Sequence, residues 1–173
     1  MTEDFFEPVP EPPPPERHEP PVWWQPPPDE FAALVPERRI LARTARGVVL
    51  QLSHIDAFRQ GCSLRIRVGA HRQAGISEAD WWDLHETVIG GARMRHRRGS
   101  GGLPDDLLRL GVQFPDGRKA TTTGGPELNF HDDREPDGPV LVRSGGGGGG
   151  SDRVVTSTWS LWLWPLPPAE PFD

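Results

Sequence analysis

Apolar and polar residues alternate along several stretches of this chain, which is the pattern of β-strands that bury one face. The clearest stretch is Cys62–Val68, where apolar side chains on one face alternate with polar and basic side chains on the other. The alternating residues are Leu64, Ile66 and Val68 against Ser63, Arg65 and Arg67. A strand of this kind covers a core with its apolar face and presents its arginines to solvent.

The same period predicts further strands at Ile40–Thr44 and Val48–Ile55. Two hairpins follow, each made of two strand-like runs separated by turn residues. They pair Leu108–Phe114 with Arg118–Thr122 across Pro115–Gly117, and Pro139–Arg143 with Val154–Trp164. Together these patterns predict an all-β protein, an antiparallel β-sandwich or open barrel of about six to eight strands.

Two segments between the strands have other patterns. The run Ser77–His85 begins with a helix-capping sequence. The six glycines at Gly145–Gly150 have no following Lys-Ser/Thr and no helix start, so they do not match a phosphate-binding loop. We expect them to form a flexible hairpin tip.

Composition divides the chain into a tail and a body. Residues 1–36 contain twelve of the 21 prolines and eight acidic residues against one basic residue, Arg17. Because such a segment buries too little apolar surface to fold alone, residues 1–30 are predicted to be a disordered Pro/Glu-rich tail. The β-sandwich domain is then expected over residues 31–168, and residues 169–173 form a short C-terminal tail.

Charge and cysteine content narrow the class of protein. The formal net charge of −6 lies in the tail and leaves the body nearly neutral, so broad binding of nucleic acid is disfavoured. The single cysteine, Cys62, forms no intrachain disulfide and is expected to be a buried apolar residue. No stretch has the ~18 apolar residues of a membrane span, which predicts a cytoplasmic protein without membrane contact.

Four tryptophans are the candidate partner-binding residues: Trp23, Trp24, Trp162 and Trp164. Two adjacent indoles are unusual in a tail, and on an unbulged strand Trp162 and Trp164 project from the face opposite the core. We expect the segment Val22–Trp24 to fold back as an anchor that covers Trp162 and Trp164. The alternative is an exposed aromatic surface that binds a protein partner.

A second candidate surface is the glycine-flanked basic loop Arg93–Arg98. Its four arginines, Arg93, Arg95, Arg97 and Arg98, concentrate positive charge that suits a polyanion or nucleic-acid phosphates. No aromatic residue is interleaved for base stacking, and a solvated loop, neutralised by the acidic tail, is the plainer interpretation.

Catalytic and metal-binding patterns are weak throughout the sequence. His54 and Asp56 would share a face of a strand, but they have no third ligand at a recognisable spacing, and the same holds for His131–Asp133. There is no G-x-S-x-G motif. The sequence therefore predicts no catalytic residue, cofactor or metal site. We expect a non-enzymatic interaction module with an unidentified protein partner, then a polyanion-binding protein, then an unrecognised hydrolase.

Two motifs carry a resemblance to a known group of proteins. They are Gly111–Arg118, of the form GV-x-F-x-DGR, and Trp162–Pro168, of the form W-x-W-P-L-P-P. In these motifs the chain resembles an uncharacterised actinobacterial all-β family over roughly residues 20–168. The resemblance implies an all-β fold and no established activity. Chains of that family continue into another apolar strand, so ending at Asp173 is expected to leave an unpaired sheet edge.

Overall fold

The computed structural model describes residues 21–36, 39–90, 108–123 and 134–168, and the architecture below is that of these residues. They form antiparallel strands and one helix. In chain order these are β1 (Ala33–Val35), β2 (Arg39–Arg43), β3 (Val48–Ala57), β4 (Cys62–His71), α1 (Glu78–Gly90), β5 (Gly111–Gln113), β6 (Lys119–Thr121), β7 (Val140–Gly150) and β8 (Val154–Trp164). The predicted antiparallel all-β class is confirmed, and the sheets are open rather than closed into a barrel.

The larger sheet has six strands. Its central path runs β3-β4-β8-β7, and both β1 and β2 pair with β3 along its free side. β1 pairs with the end of β3 through Ala33 and Ala57, whereas β2 pairs with its beginning through Arg43 and Val49. One edge of the sheet is therefore made of two short strands end to end, and β7 forms the other edge.

The two faces of this sheet differ in their cover. Residues paired across antiparallel strands point to the same face, so the register assigns each side chain to an inner or an outer face. The inner face carries the apolar series of β4 and β8 that includes Leu64, Ile66 and Leu161. The helix α1 and the small β5–β6 sheet pack on it through buried apolar residues. These residues are Trp81, Leu84, Val88, Val112, Phe114 and Ala120.

The helix α1 begins where its capping sequence predicts. The Ser77 hydroxyl accepts a hydrogen bond from the Asp80 N–H at 3.1 Å and donates to the Asp80 carboxylate at 2.7 Å. This arrangement satisfies an amide that the first helical turn leaves without a partner. Trp81 is fully buried, and its indole N–H donates to the Ser151 carbonyl at 3.2 Å. The helix is thereby tied to the turn between β7 and β8.

Substituting Ser77 with alanine is expected to lower the free energy of unfolding by about 1 kcal/mol, because the cap is lost while the helix remains packed. Urea denaturation followed by circular dichroism measures this change. Ser77→Thr keeps a hydroxyl acceptor and serves as the control. An alanine variant as stable as the threonine variant would contradict the capping role.

The prediction for the glycine run is wrong. Gly145–Gly150 are not a flexible tip but the second half of β7, where they pair residue by residue with Val155–Ser160 of β8. The reversal lies beyond them, where the Ser151 N–H donates to the Val154 carbonyl at 2.7 Å. A run of six glycines has a flexible backbone when it is considered alone. Here regular pairing with β8 gives its N–H and C=O groups hydrogen-bonding partners and fixes it as a strand.

The β5–β6 hairpin forms at the predicted turn. Gly117 has a φ of +86°, and its N–H donates to the Phe114 carbonyl at 2.9 Å. The Asp116 carboxylate accepts from the Arg118 N–H at 3.0 Å, a bond that lowers the pKa of this carboxyl group. Glycine supplies the left-handed conformation at the end of this turn.

Candidate interaction surface

One end of the outer face is covered by the segment Val22–Trp24, which we call the anchor. Trp162 projects from β8 to this face and is fully buried. Its indole N–H donates to the Val22 carbonyl at 2.9 Å. The ring also meets Phe58, with centroids 5.5 Å apart in an edge-to-face arrangement. A buried indole of this kind gains both apolar packing and a partner for its one polar group.

The anchor places its own tryptophans against the same face. Trp24 is 4% exposed and packs with Val140 and Val142 of β7. Trp23 meets Trp164 edge-to-face, with centroids 6.3 Å apart, and both are partly buried. The Trp23 indole nitrogen is buried and has no hydrogen-bond acceptor in the described part of the chain. The anchor and the sheet therefore form a second apolar cluster, on the face opposite the main core.

This packing confirms the expectation that the anchor covers the outward tryptophans of β8. It also bears on the four residues proposed to bind a partner. Trp24 and Trp162 are inaccessible while the anchor is in place, whereas Trp23 and Trp164 keep part of their surface exposed. Their role in binding a partner stays a prediction, and in this conformation their main contacts are with each other.

Beyond the anchor the outer face is open and carries arginines. The register places Arg65 and Arg67 of β4 and Arg43 of β2 on this face, and all three are exposed. None of the three forms an ion pair with a carboxylate among the described residues. On β8, the hydroxyl side chains of Thr158 and Ser160 lie beside them, paired with Arg67 and Arg65. We call this region the arginine face.

The helix on the opposite side of the sheet is acidic. The helix that covers the inner face carries Glu78, Asp80, Asp83 and Glu86 and no lysine or arginine. On the strands of the six-stranded sheet, Asp56 is the one carboxylate. The outer face thus carries the charges of Arg43, Arg65 and Arg67 against one carboxylate, whereas the helix on the other side of the sheet is negative. A field of this kind attracts anionic groups to the arginine face.

Exposed apolar side chains border the arginine face at the β1–β2 edge. β1 and β2 pair with β3 on one side, and no other described strand pairs with them. Their apolar residues are more exposed than is usual for a sheet. These residues, with the one two positions before β1, are Phe31 (99% exposed), Leu34 (65%), Val35 (44%), Ile40 (47%) and Leu41 (44%). An unpaired edge with apolar side chains is a template for the addition of another strand.

The residues considered for chemistry do not assemble into a reactive group. His54 and Asp56 share the outer face as predicted, with 3.6 Å between Nε2 and Oδ2. The structure places no group of three or more metal-ligating side chains together in the parts of the chain that it describes. Cys62 is 2% exposed, and burial raises the pKa of its thiol to about 12. It is therefore a neutral, packed side chain at physiological pH, as its sequence context predicts.

One cation on the inner face was not foreseen. Arg143 lies with its guanidinium 5.1 Å from the centre of the Trp159 ring, and its Nε donates to the Gly145 carbonyl at 3.2 Å. Partial burial lowers the pKa of this guanidinium from its usual value. The alternation of β7 predicts that Arg143 lies on the same face as Leu141. The space for its guanidinium exists because Gly146 has no side chain, which only the structure shows.

The other predicted surface, the basic loop, lies outside the described residues. The polyanion candidates Arg93, Arg95, Arg97 and Arg98 lie outside the described residues, as do His131–Asp133. Sequence reasoning identified the basic outward side of Cys62–Val68 but did not treat it as a binding surface. The signal was present in the spacing of Arg65 and Arg67, whereas the addition of Arg43 required the pairing of β2 with β3.

Comparison with family models, curated proteins and solved structures found no match to this chain. Within the described residues, the helix α1 is too short and too polar to cross a membrane.

Proposed function

We propose that this protein is a non-enzymatic interaction module that binds an extended acidic polypeptide on the arginine face and the adjoining β1–β2 edge. The observation that carries the proposal is an open sheet face with three arginines that have no ion pair among the described residues, while the acidic residues of the helix lie on the opposite layer. Like charges on neighbouring positions repel each other, and an anionic ligand relieves that repulsion.

The free β1–β2 edge of the sheet suggests that the ligand is an extended strand. A polypeptide added to β1 or β2 would receive main-chain hydrogen bonds from the free side of the sheet. Alternate side chains would then point to the outer face, where Arg43 lies, and to the inner face, where Val35 is exposed. An extended segment that alternates acidic and apolar residues satisfies both faces.

A polypeptide suits this surface better than a nucleic acid does. Single-stranded nucleic acids bind by stacking bases on exposed aromatic rings along a positive groove. On the outer face, Trp24 and Trp162 are buried by the anchor, and Trp23 and Trp164 are partly covered by each other. Phe31 is the one fully exposed ring among the described residues beside this face, so no row of rings is available for stacking. Polyanion binding through Arg93–Arg98 stays the alternative, and a cytoplasmic location stays a prediction.

The test uses a fluorescent peptide of alternating glutamate and valine, with a lysine-valine peptide as the charge control. We expect Arg65→Gln/Arg67→Gln to weaken binding of the acidic peptide about five- to tenfold, as expected for two partly exposed ion pairs. Binding should also weaken as salt rises from about 50 to about 200 mM. Arg118→Gln/Lys119→Gln removes the same two charges from the β5–β6 layer and is the matched control.

Fluorescence anisotropy measures these affinities. Equal losses in the two double variants would show that net charge, not the arginine face, determines binding. Equal binding of the lysine-valine peptide would remove the proposal. If a single-stranded oligonucleotide bound more tightly than the acidic peptide, the result would favour the polyanion alternative over the proposed peptide-binding function.

A further inference from the structure

We propose that the protein's own acidic tail is an occupant of the arginine face, with Glu16 and Glu19 placed against Arg65 and Arg67. This inference rests on the proposed function, because it treats the tail as an intramolecular competitor of an external acidic ligand. Residues 1–20 lie outside the described part of the chain.

The anchor delivers the tail to the correct side of the sheet. Val22 is held over the outer face by the hydrogen bond from Trp162, so the residues before it start on that face and not on the helical layer. Trp162 is paired with Ser63, and Arg65 and Arg67 follow at the next outward positions of β4. At about 3.3 Å per residue, these two arginines lie about 7 and about 13 Å along the strand from the anchored row.

The length of the tail fits those distances. Glu19 and Glu16 precede Val22 by three and six residues. An extended chain spans at most about 3.3–3.6 Å per residue, so these lengths reach up to about 10 and about 20 Å from Val22 and span the two arginines once their long side chains are included. Glu11 is farther away, and the pair next to the anchor has the highest effective concentration at the arginine face.

The separation of these two carboxylates along the chain also fits the arginine pair. Glu16 and Glu19 are three residues apart in the sequence. An extended chain separates such residues by up to about 10 Å, which covers the spacing of about 7 Å between Arg65 and Arg67.

Charge balance supports the same pairing. Residues 1–20 carry six carboxylates and one basic residue, whereas Arg43, Arg65 and Arg67 have no ionic partner among the described residues. Individual exposed ion pairs are weak, but the anchor makes their formation intramolecular. The tail therefore reduces access to the arginine face without closing it, and an external acidic polypeptide has to displace it.

A crosslinking experiment on the full chain tests the contact directly. Lys119 is the only lysine, and it lies on the β5–β6 layer, so Arg65→Lys introduces a single new side-chain amine on the arginine face. A zero-length carbodiimide crosslink between this amine and Glu16 or Glu19 is expected, with a yield independent of protein concentration. The same treatment of an Arg118→Lys variant, with its amine on the opposite layer, should give no crosslink to these two glutamates.

A competition experiment gives the second readout. Neutralising the tail with Glu16→Gln/Glu19→Gln is expected to tighten binding of the glutamate-valine peptide about three- to tenfold, because the competing segment is weakened. Glu3→Gln/Asp4→Gln removes the same charge far from the anchor and should change the affinity much less. Binding is measured by anisotropy at low salt, where the ion pairs are strongest.

The outcomes separate this inference from the proposed function. Absence of the crosslink, or a yield that rises with protein concentration, overturns the intramolecular contact even if the peptide binds all variants. Equal gains in the two tail variants overturn the specific role of Glu16 and Glu19. A crosslink together with no peptide binding, even after tail neutralisation, retains the tail contact and overturns the proposed external ligand.

Discussion

Replacing Trp24 with alanine should lower the free energy of unfolding by about 3–5 kcal/mol, the usual cost of truncating a buried aromatic side chain. Trp24 is 4% exposed and fills the space above Val140 and Val142. Its removal leaves a cavity in the cluster and exposes part of the outward face of β7. Urea denaturation followed by circular dichroism measures the change.

Trp82 provides the matched control. It is also a tryptophan, but it lies on the solvent side of α1 and is 45% exposed, so Trp82→Ala should cost about 1 kcal/mol or less. Deleting residues 1–20, which leaves the anchor in place, should change the thermal midpoint by about two degrees at most. If Trp24→Ala were as mild as Trp82→Ala, the anchor would not be a structural element, and its indoles would return to the partner-binding hypothesis.

The anchor shows how far sequence reasoning reaches. Alternation placed Trp159 and Leu161 on one face of β8 and Trp162 and Trp164 on the other, and apolar residues on both faces required a second cover. The adjacent Trp23 and Trp24 were the candidate for that second cover, and the structure places the anchor against Trp162 and Trp164. The inference succeeded because a strand has a fixed period of two, so a face assignment needs no knowledge of the fold.

The arginine face was only half visible in the sequence. The outward direction of Arg65 and Arg67 follows from the same period. The position of Arg43 beside them depends on β2 pairing with β3, and the short strand β1 has too few residues to show a period at all. Opposite charge on the helical layer likewise appears only when the helix is packed on the inner face. Surfaces assembled from several elements require tertiary structure, whereas single-strand faces do not.

The glycine run was misjudged for a related reason. Glycine lowers strand propensity, so a run of six predicts flexibility when it is considered alone. What the sequence could not show is that the facing residues of β8 come too close for any side chain at alternate positions. The glycines at those positions are required by the approach of the neighbouring strand, and the substitution pattern of the run is a direct test of that requirement.

Alanine substitutions along Gly145–Gly150 should therefore alternate in effect. A Cβ at Gly147, on the outer face, meets no atom within 4 Å, so Gly147→Ala should be neutral or stabilise by up to about 1 kcal/mol. A Cβ at Gly148 would lie 2.7 Å from the Thr156 carbonyl oxygen, which is held in the sheet, so Gly148→Ala should cost about 1–3 kcal/mol.

Gly146 should be the least tolerant position of the run. Its φ of +138° is a conformation that residues with side chains rarely adopt, and a Cβ there would overlap the Thr158 carbonyl oxygen. Backbone strain and overpacking add, so Gly146→Ala should cost about 2–5 kcal/mol. The same Cβ would come within 3.0 Å of the Arg143 guanidinium, so the substitution should also disturb the contact of Arg143 with Trp159.

Denaturation of the three alanine variants, with tryptophan fluorescence as a second readout for Trp159, distinguishes a paired strand from a flexible tip. In a flexible tip, alanine at any of the three positions would restrict only the unfolded chain, and none would be destabilising. Three similar values would therefore contradict the pairing of Gly145–Gly150 with β8. A cost at Gly146 and Gly148 with none at Gly147 requires the β7 register, since only that register turns alternate glycines toward the inner face.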